Sequence, residues 1–235
     1  MIGFSFNNRN SYNDFGLILE EHSIQPPKKV KILDSIPGMN GSYDFSTVAS
    51  NGEQVYDTRE IDIKVFLMQS DKTRLHFLYT RVLEWLMGTG QSKLIFDFLP
   101  GYYFMAEVQE APSWDELIET GELSIKFVAE PLKYGTELAG DLLWDNIDFD
   151  LPDYIQDTSF TVNGAKTITL YNPGSHGIIP TIVANGDITC TLNGYTTTFP
   201  QGTSTDYGFK LENGTNIINI SGNGNIQFNF RKEVL

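Results

Sequence analysis

The sequence has a single cysteine, Cys190, and only three histidines in 235 residues. One cysteine excludes an intrachain disulfide and any cysteine-rich metal site. His22, His76 and His176 are far apart, and none has a partner at metal-ligand spacing. Cys190 alternates with threonines in a short apolar run, so we interpret it as a small buried strand residue and not as a nucleophile.

Basic residues are scarce as well. The sequence has 16 Lys+Arg and 30 Asp+Glu, which gives a formal net charge of -14. Phosphate binding needs clustered basic side chains, and none exist beyond Lys28, Lys29 and Lys31. No apolar run approaches the roughly 18 residues of a membrane span, and Met1–Arg9 does not have the form of a secretory signal. We expect no specific nucleic-acid binding, no membrane partner, and synthesis in the cytoplasm.

The motifs of common enzyme classes are also missing. The sequence has no Gly-x-Ser-x-Gly elbow, no P-loop and no dinucleotide-binding fingerprint. The acidic run 145–150 lacks the glycine and the distal glutamate of an EF-hand loop. We therefore expect a protein that is not an enzyme and that holds no cofactor and no metal.

What the chain does have is enough apolar volume for a packed core, with 40% apolar and 13% aromatic residues. In residues 1–133, short segments with alternating polarity predict strands. The clearest is 60–67, where Ile61, Ile63 and Val65 share one face with Leu67. The other predicted strands are 2–6, 30–33, 93–98, 104–108 and 122–128.

One helix is predicted between these strands, from a cap at Ser70 or Asp71 to Gly88. Its apolar residues form a stripe that faces a sheet, with Trp85 at the edge of the stripe. Phe77 and Arg81 lie on the opposite face. An aromatic ring there either packs under a neighbouring loop or contacts another subunit. The stripe consists of Leu75, Leu78, Tyr79, Val82, Leu83 and Leu86.

The composition changes near residue 131, where we place a domain boundary. The first domain is residues 1–133 with its helix near 71–87, and the second is residues 134–235, preceded by an acidic linker near 134–158. In the second domain, Asn-Gly and similar turn signals separate short strands rich in Thr, Asn and Ile, which predicts a β-sandwich and a mainly β chain. The predicted strands are 158–162, 167–170, 181–184, 188–192, 196–199, 208–211, 216–220 and 226–230. The predicted turns are at Asn163-Gly164, Asn185-Gly186, Asn193-Gly194, Asn213-Gly214 and Gly222-Asn223-Gly224.

Several short motifs occur together in an order that resembles one family. They are Phe4 to Asn8, Ser11 to Leu17, Ile36 to Ser42, the strand Tyr56 to Met68 with the following helix, and a carboxy-terminal set of Asn172-Pro173-Gly174, Pro180-Thr181-Ile182 and Gly186. The sequence resembles the distal tail proteins of long-tailed, non-contractile phages, or siphophages, over nearly its whole length. Met39 departs from the pattern, since a basic residue is expected there.

The resemblance implies a structural protein of the virion tail tip. In that family six amino-terminal domains form a baseplate hub ring, which joins the tail tube protein to a tail-associated lysin or fibre protein and lets DNA pass. A galectin-like sandwich projects outward. Six acidic subunits could surround the channel with carboxylates that repel DNA, or the charge could simply maintain solubility. The candidate residues of the subunit interface are Ile36, Pro37, Gly38, Gly41, Phe77 and Arg81.

A second function, carbohydrate binding in host-surface adhesion, stays open for the carboxy-terminal sandwich. Exposed aromatic side chains on a β-sandwich can hold sugar rings, and core packing is the alternative role for the same residues. The candidate platform is Tyr171, Tyr195, Phe199 and Tyr207. The outer domain would then bind a host glycan, or it would instead dock a receptor-binding protein.

Overall fold

The computed structural model describes residues 3–50, 52–67, 71–113, 121–141 and 154–235. The chain divides into two compact units, Met1–Lys133 together with Leu235, and Tyr134–Val234. The described residues form 16 strands and two helices, so the expectation of a mainly β chain is confirmed. Residues 142–153, in the middle of the acidic stretch that we assigned to a linker, lie outside the described residues.

The first unit contains one large antiparallel sheet, with strand order β2-β1-β7-β8-β9-β6-β3, and a separate two-stranded hairpin, β4-β5. Its elements are β1 (Phe4–Phe6), β2 (Arg9–Asn10), α1 (Ser11–Phe15), β3 (Ile18–Ile24), β4 (Leu33–Asp34), β5 (Tyr43–Asp44), β6 (Arg59–Phe66), α2 (Lys72–Met87), β7 (Ser92–Phe96), β8 (Tyr102–Val108) and β9 (Glu122–Gly135).

The amino-terminal motif folds locally into a hairpin and a short helix. Asn7 and Asn8 both have positive φ, 47° and 60°, which suits the two-residue turn that joins β1 to β2. Asn10 then caps α1 by accepting hydrogen bonds from the backbone of Tyr12 and Asn13. The helix ends at Gly16, whose φ of 69° is the left-handed conformation common after a helix. Neither α1 nor β3 was predicted from the sequence.

Helix α2 lies between Asp71, its N-cap, and Gly88, its C-cap. The helical spacing predicts Trp85 at the edge of the apolar stripe. In the structure Trp85 instead lies at the centre of the buried face of α2. The Trp85 ring stacks on Phe15 at 4.5 Å and on Phe4 at 5.6 Å. Its Nε1–H donates to the Phe6 carbonyl oxygen at 2.8 Å. The indole thus ties α2 to β1 and α1 through packing and a buried hydrogen bond.

The second unit contains one antiparallel sheet of six strands, ordered β13-β12-β15-β11-β14 with β10 along the other side of β15. Its strands are β10 (Ser159–Asn172), β11 (Thr181–Ala184), β12 (Ile188–Leu192), β13 (Tyr195–Phe199), β14 (Gly202–Thr205) and β15 (Gly214–Asn229), and the short β16 (Glu233–Val234) follows them.

Two of the predicted turns are instead interior positions of long strands. β10 and β15 pair without interruption from Ser159↔Gln227 to Asn172↔Gly214, and Asn163 lies opposite Asn223. Gly222 and Gly224 have φ of 137° and 144°, conformations that only glycine adopts readily. The glycines allow an irregularity within a strand and do not reverse the chain. Asn193-Gly194 is a true turn, with φ of 51° and 84°, between β12 and β13.

Two other predictions were wrong for a related reason. The segment 30–33 is a strand only at its end, in β4, and 208–211 has no regular strand. The strand β14, in contrast, was missed by the sequence analysis. These segments have few residues, and their pairing depends on distant partners. Local alternation therefore does not determine their structure.

A single core fills the second unit. Along β15, Ile218, Ile220, Ile226 and Phe228 all have the same strand parity and belong to one buried cluster with β11 and β12. Within residues 154–235 no helix covers this face. The sheet must therefore curl so that its two halves face each other across the core, which gives the packing of a sandwich.

Candidate assembly surfaces

A hairpin arm, defined as residues 30–46, is the most exposed part of the described first unit. Its strands β4 and β5 pair through Leu33↔Asp44 and Asp34↔Tyr43. Below them, the Phe45 N–H donates to the Ile32 carbonyl oxygen at 2.8 Å. A two-stranded ribbon has two unpaired edges, so the backbone of the arm can accept a further strand.

The tip of the arm is a tight turn that includes three of the predicted interface residues. The Met39 N–H donates to the Ile36 carbonyl oxygen at 3.1 Å, which closes the turn over Pro37 and Gly38. Gly38 has φ of 86°, the value that a type II turn requires after proline. Ile36, Pro37, Gly38 and Gly41 are all exposed. The structure therefore brings four of the six predicted interface residues together at one tip.

The arm carries five large apolar side chains, of which sequence reasoning selected only Ile36. They share an exposed position on a thin ribbon, and their exposed fractions run from 46% for Phe45 to 60% for Leu33. The rings of Tyr43 and Phe45 lie 6.2 Å apart. Contiguous exposed apolar surface on a soluble protein commonly marks a binding site. The five side chains are Ile32, Leu33, Ile36, Tyr43 and Phe45.

A polar cluster holds the base of the arm in place. The Lys31 ammonium lies 2.7 Å from Asp44 Oδ2, and the Ser46 N–H donates to Asp44 Oδ1 at 2.9 Å. The Ser46 hydroxyl in turn accepts from the Ile32 N–H at 2.8 Å. Hydrogen bonds from Lys31 and Ser46 hold the pKa of the Asp44 carboxyl well below its usual range. A preordered arm loses less conformational entropy on binding a partner.

Acid titration should reveal this cluster. We expect Asp44 to stay ionised as the pH falls through 3.8, the ordinary value of its pKa. A carboxylate with a lowered folded-state pKa stabilises the fold above its unfolded pKa, and this contribution disappears only as the pH falls through the folded value. The carboxyl carbon shift of Asp44, followed by NMR, measures the midpoint. Lys31→Ala should move that midpoint upward, and a wild-type midpoint of 3.8 would contradict the assignment.

Helix α2 carries the other two predicted interface residues. Phe77 is 67% exposed, so it does not pack under a neighbouring loop, which was the first of the two interpretations of its position. Arg81 follows one turn later, and its guanidinium lies 5.6 Å from the centre of the Phe15 ring. The outer face of α2 therefore presents the exposed Phe77 ring beside the Arg81 guanidinium. This surface comes from a part of the sequence separate from the arm.

The predicted sugar platform does not form one surface. Tyr195 lies opposite Leu192 and has the same strand parity as Phe199, which is buried in the core. Tyr171 alternates with the buried Leu170 and Asn172, so it points to the opposite face of the sheet, and its ring packs at a tilt against that of Tyr154, with ring centres 4.6 Å apart. Phe199 is a core residue and cannot contact a sugar.

Tyr195 and Tyr207 do lie close together, around Asp206. The Tyr195 hydroxyl donates to Asp206 at 3.1 Å, and the Gly208 N–H donates to the same carboxylate at 2.9 Å. Tyr207 is 82% exposed. Hydrogen bonds from Thr197 and Gly208 lower the pKa of Asp206, and the bond to Asp206 raises the pKa of Tyr195. Two of the four predicted aromatic residues thus form a small exposed cluster.

Neither a metal centre nor a reactive thiol is found in the part of the chain that the structure describes. The described His, Cys, Asp and Glu residues form no group of three or more that could hold a metal ion. Cys190 is fully buried, and desolvation raises the pKa of its thiol to about 12, which opposes thiolate formation. Neither helix among the described residues is long and apolar enough to span a membrane.

Comparison with known proteins agrees with the motifs read from the sequence. The structure is similar to the crystal structure of the SPP1 Dit (gp 19.1) protein, a paradigm of the hub adsorption apparatus in phages that infect Gram-positive bacteria. The TM-score is 0.67, the identity is 12%, and the match covers 100% of both chains. Such a likeness shows a shared fold. No curated protein matches the sequence.

A family model provides the evidence on membership. Residues 12–129 match the model of the phage tail protein RIFT-related domain. The matched region contains the arm, α2 and most of the first sheet. With the shared fold, it confirms the resemblance to siphophage distal tail proteins. Because the match spans half of the sequence, the chain belongs to the phage tail protein family with the RIFT-related domain.

Proposed function

We propose that this protein is the distal tail protein of a siphophage, and that six copies close into a hub ring at the tail tip of the virion. The ring joins the tail tube protein to a tail-associated lysin or fibre protein, and DNA passes through its centre. Membership of a phage tail family and a fold shared with a hub protein along the whole chain support this function. Its role is structural and not enzymatic, and it is synthesised in the cytoplasm of the host bacterium.

The observation that carries the proposal is the exposed apolar arm of the first unit. A ring of identical subunits is a head-to-tail assembly, so each subunit needs two different complementary patches. The arm offers one patch, with Tyr43 and Phe45 half exposed on its ribbon. The second patch is the outer face of α2 with Phe77 and Arg81, or the open edge of the first sheet at β3. A strand of the arm can pair with an edge strand of the neighbouring subunit.

The two units have different roles in this proposal. Residues 1–133 form the ring, and residues 134–235 form an outward domain with the sandwich packing described above. The formal net charge of -14 on each subunit places many carboxylates around a ring. We expect carboxylates to line the channel, because like charge repels the phosphates of a passing duplex and prevents adsorption.

The position in the virion tests the proposal directly. Antibodies raised against the purified chain should label the distal end of the tail in virions from a lysogen or phage that carries the gene. Gold label at that end, abolished by competition with the free chain, is the expected result. Label along the tube, at the head, or only on the host cell would contradict the tail-tip assignment. Antibodies against a major capsid protein serve as the positional control.

A further inference from the structure

The outward face of the six-stranded sheet in the second unit has an unusual composition. Along β10 and β15 the buried residues alternate with exposed ones, so one face covers the core and the other faces outward. We define the Thr/Asn face as the outward residues of β10 to β15. Threonine and asparagine dominate it, and typical members are Thr161, Thr167, Thr191, Asn219 and Asn225.

The Thr/Asn face carries no charge. Residues 154–235 are described without a gap, and within β10 to β15 the one charged residue is Lys166. Lys166 has the parity of the inward residues, and its ammonium lies 5.3 Å from the centre of the Phe160 ring. Charged residues make up 20% of the chain and usually concentrate on surfaces. Most other described charged residues of this unit lie in turns and loops, for example Asp187, Asp206 and Glu212.

Hydrogen bonds between neighbouring strands order the side chains of this face. The Thr167 hydroxyl donates to Asn219 Oδ1 at 2.8 Å, and the Thr161 hydroxyl donates to Asn225 Oδ1 at 2.8 Å. Thr191 pairs with Thr196 in the same way at 2.9 Å. Each of these hydroxyl and amide groups can make more than one hydrogen bond. The face is therefore a preordered array with further capacity to bond a polar ligand.

Two shallow grooves cross the strands on this face. One, of about 410 Å³, runs over three strands between Thr161, Asn225 and Asn185. The other, of about 280 Å³, runs over β10, β15 and β12 between Thr167, Asn219 and Thr191. Both grooves are lined mainly by uncharged hydrogen-bonding side chains, and Lys166, beside the second groove, is the one charged residue in their linings. Both grooves lie across the strands of the long β10–β15 ladder.

We propose that the Thr/Asn face binds a neutral polysaccharide along these grooves. A protein partner would require aromatic or arginine anchors at the centre of its interface. The grooves have no arginine, and the one aromatic residue in their lining, Phe160, packs against the core beside Phe228. A nucleic acid would require basic side chains, and an anionic glycan would be repelled by a chain with a formal net charge of -14. Uncharged hydroxyl and amide groups match the hydroxyls of a neutral sugar. The proposal does not depend on ring formation.

Affinity electrophoresis of the full-length protein tests this site. Native gels would contain dextran, galactomannan, mixed-linkage β-glucan or arabinogalactan, with dextran sulfate as the charged control polymer. We expect retardation by at least one neutral polysaccharide and none by dextran sulfate. Because a neutral polysaccharide offers no charge to Lys166 or to any other ionised group, its affinity should change less than about twofold between low and high salt, measured by calorimetry.

Variants locate the binding site. Thr167→Ala combined with Asn219→Ala, or Thr161→Ala combined with Asn225→Ala, should weaken binding about tenfold through lost hydrogen bonds. Circular dichroism should show that both double variants remain folded. Tyr207→Ala is the matched control, since it removes an exposed ring outside the Thr/Asn face and should leave binding unchanged. Failure of all four neutral polysaccharides to bind, or binding that Tyr207→Ala abolishes and the face variants do not, would overturn the proposal.

Discussion

Replacing Trp85 by alanine should lower the free energy of unfolding by about 3–5 kcal/mol, the cost of removing a large buried aromatic side chain. The indole is almost fully buried, and its ring lies between Phe4 and Phe15. The substitution would also leave the Phe6 carbonyl oxygen without the hydrogen bond that Nε1 donates. Because these contacts join α2 to β1 and α1, we expect the loss to affect the whole first unit.

Urea denaturation followed by far-ultraviolet circular dichroism measures this effect. Trp85→Phe is the conservative variant, since it keeps a ring between Phe4 and Phe15 but loses the N–H donor, and it should cost less than the alanine variant. Phe77→Ala is the control on the same helix. Phe77 is 67% exposed, so its removal should change the free energy of unfolding by no more than about 0.5 kcal/mol. Equal effects at Trp85 and Phe77 would contradict the assigned burial.

Charge placed on the arm should abolish assembly and leave the fold intact. In the variant Tyr43→Asp with Phe45→Asp, two half-exposed rings are replaced by carboxylates that must stay in water. Burial of each ring at an interface contributes roughly 1.5–3 kcal/mol, so the double variant should weaken subunit association about a hundredfold or more. The core of the first unit lies elsewhere, in the large sheet and α2, and its stability should not change.

Sedimentation velocity measures the assembly of this variant against wild type at equal concentration. Tyr207→Asp is the matched control, because it places the same charge on an exposed ring of the second unit. Phe77→Asp tests whether the outer face of α2 is the complementary patch and should also reduce assembly. Wild-type assembly by the double arm variant would exclude the arm as an interface, and normal assembly by Phe77→Asp would move the second patch to β3.

The sequence predicted the elements whose stability is local. The strict alternation of Ile61, Ile63 and Val65 appears in the structure as the buried face of β6. The pair Asp71 and Gly88 caps α2 at the two ends that the sequence indicated. In both cases the pattern within one segment determines which face is buried. Trp85 was misplaced because its burial depends on Phe4 and Phe15, which approach it only in the folded unit.

Features that depend on distant partners could not be predicted. Asn163-Gly164 has the sequence of a tight turn, but Asn163 is extended because Asn223, far along the chain, pairs with it. The apolar residues of the arm look like ordinary core residues in sequence. Only the structure shows that Leu33 and Tyr43 lie on a ribbon that extends away from the packed core. The tip residues Ile36 to Gly41 could be found because proline and glycine mark the turn.

The most direct test of the hub assignment is imaging of the purified wild-type protein at high concentration by negative-stain electron microscopy. The proposal predicts rings with six lobes and a central hole, and it predicts that the double arm variant gives only small isolated particles under the same conditions. Wild-type particles of a single chain, or closed dimers with no central hole, at every concentration and also after mixing with the tail tube protein, would contradict it.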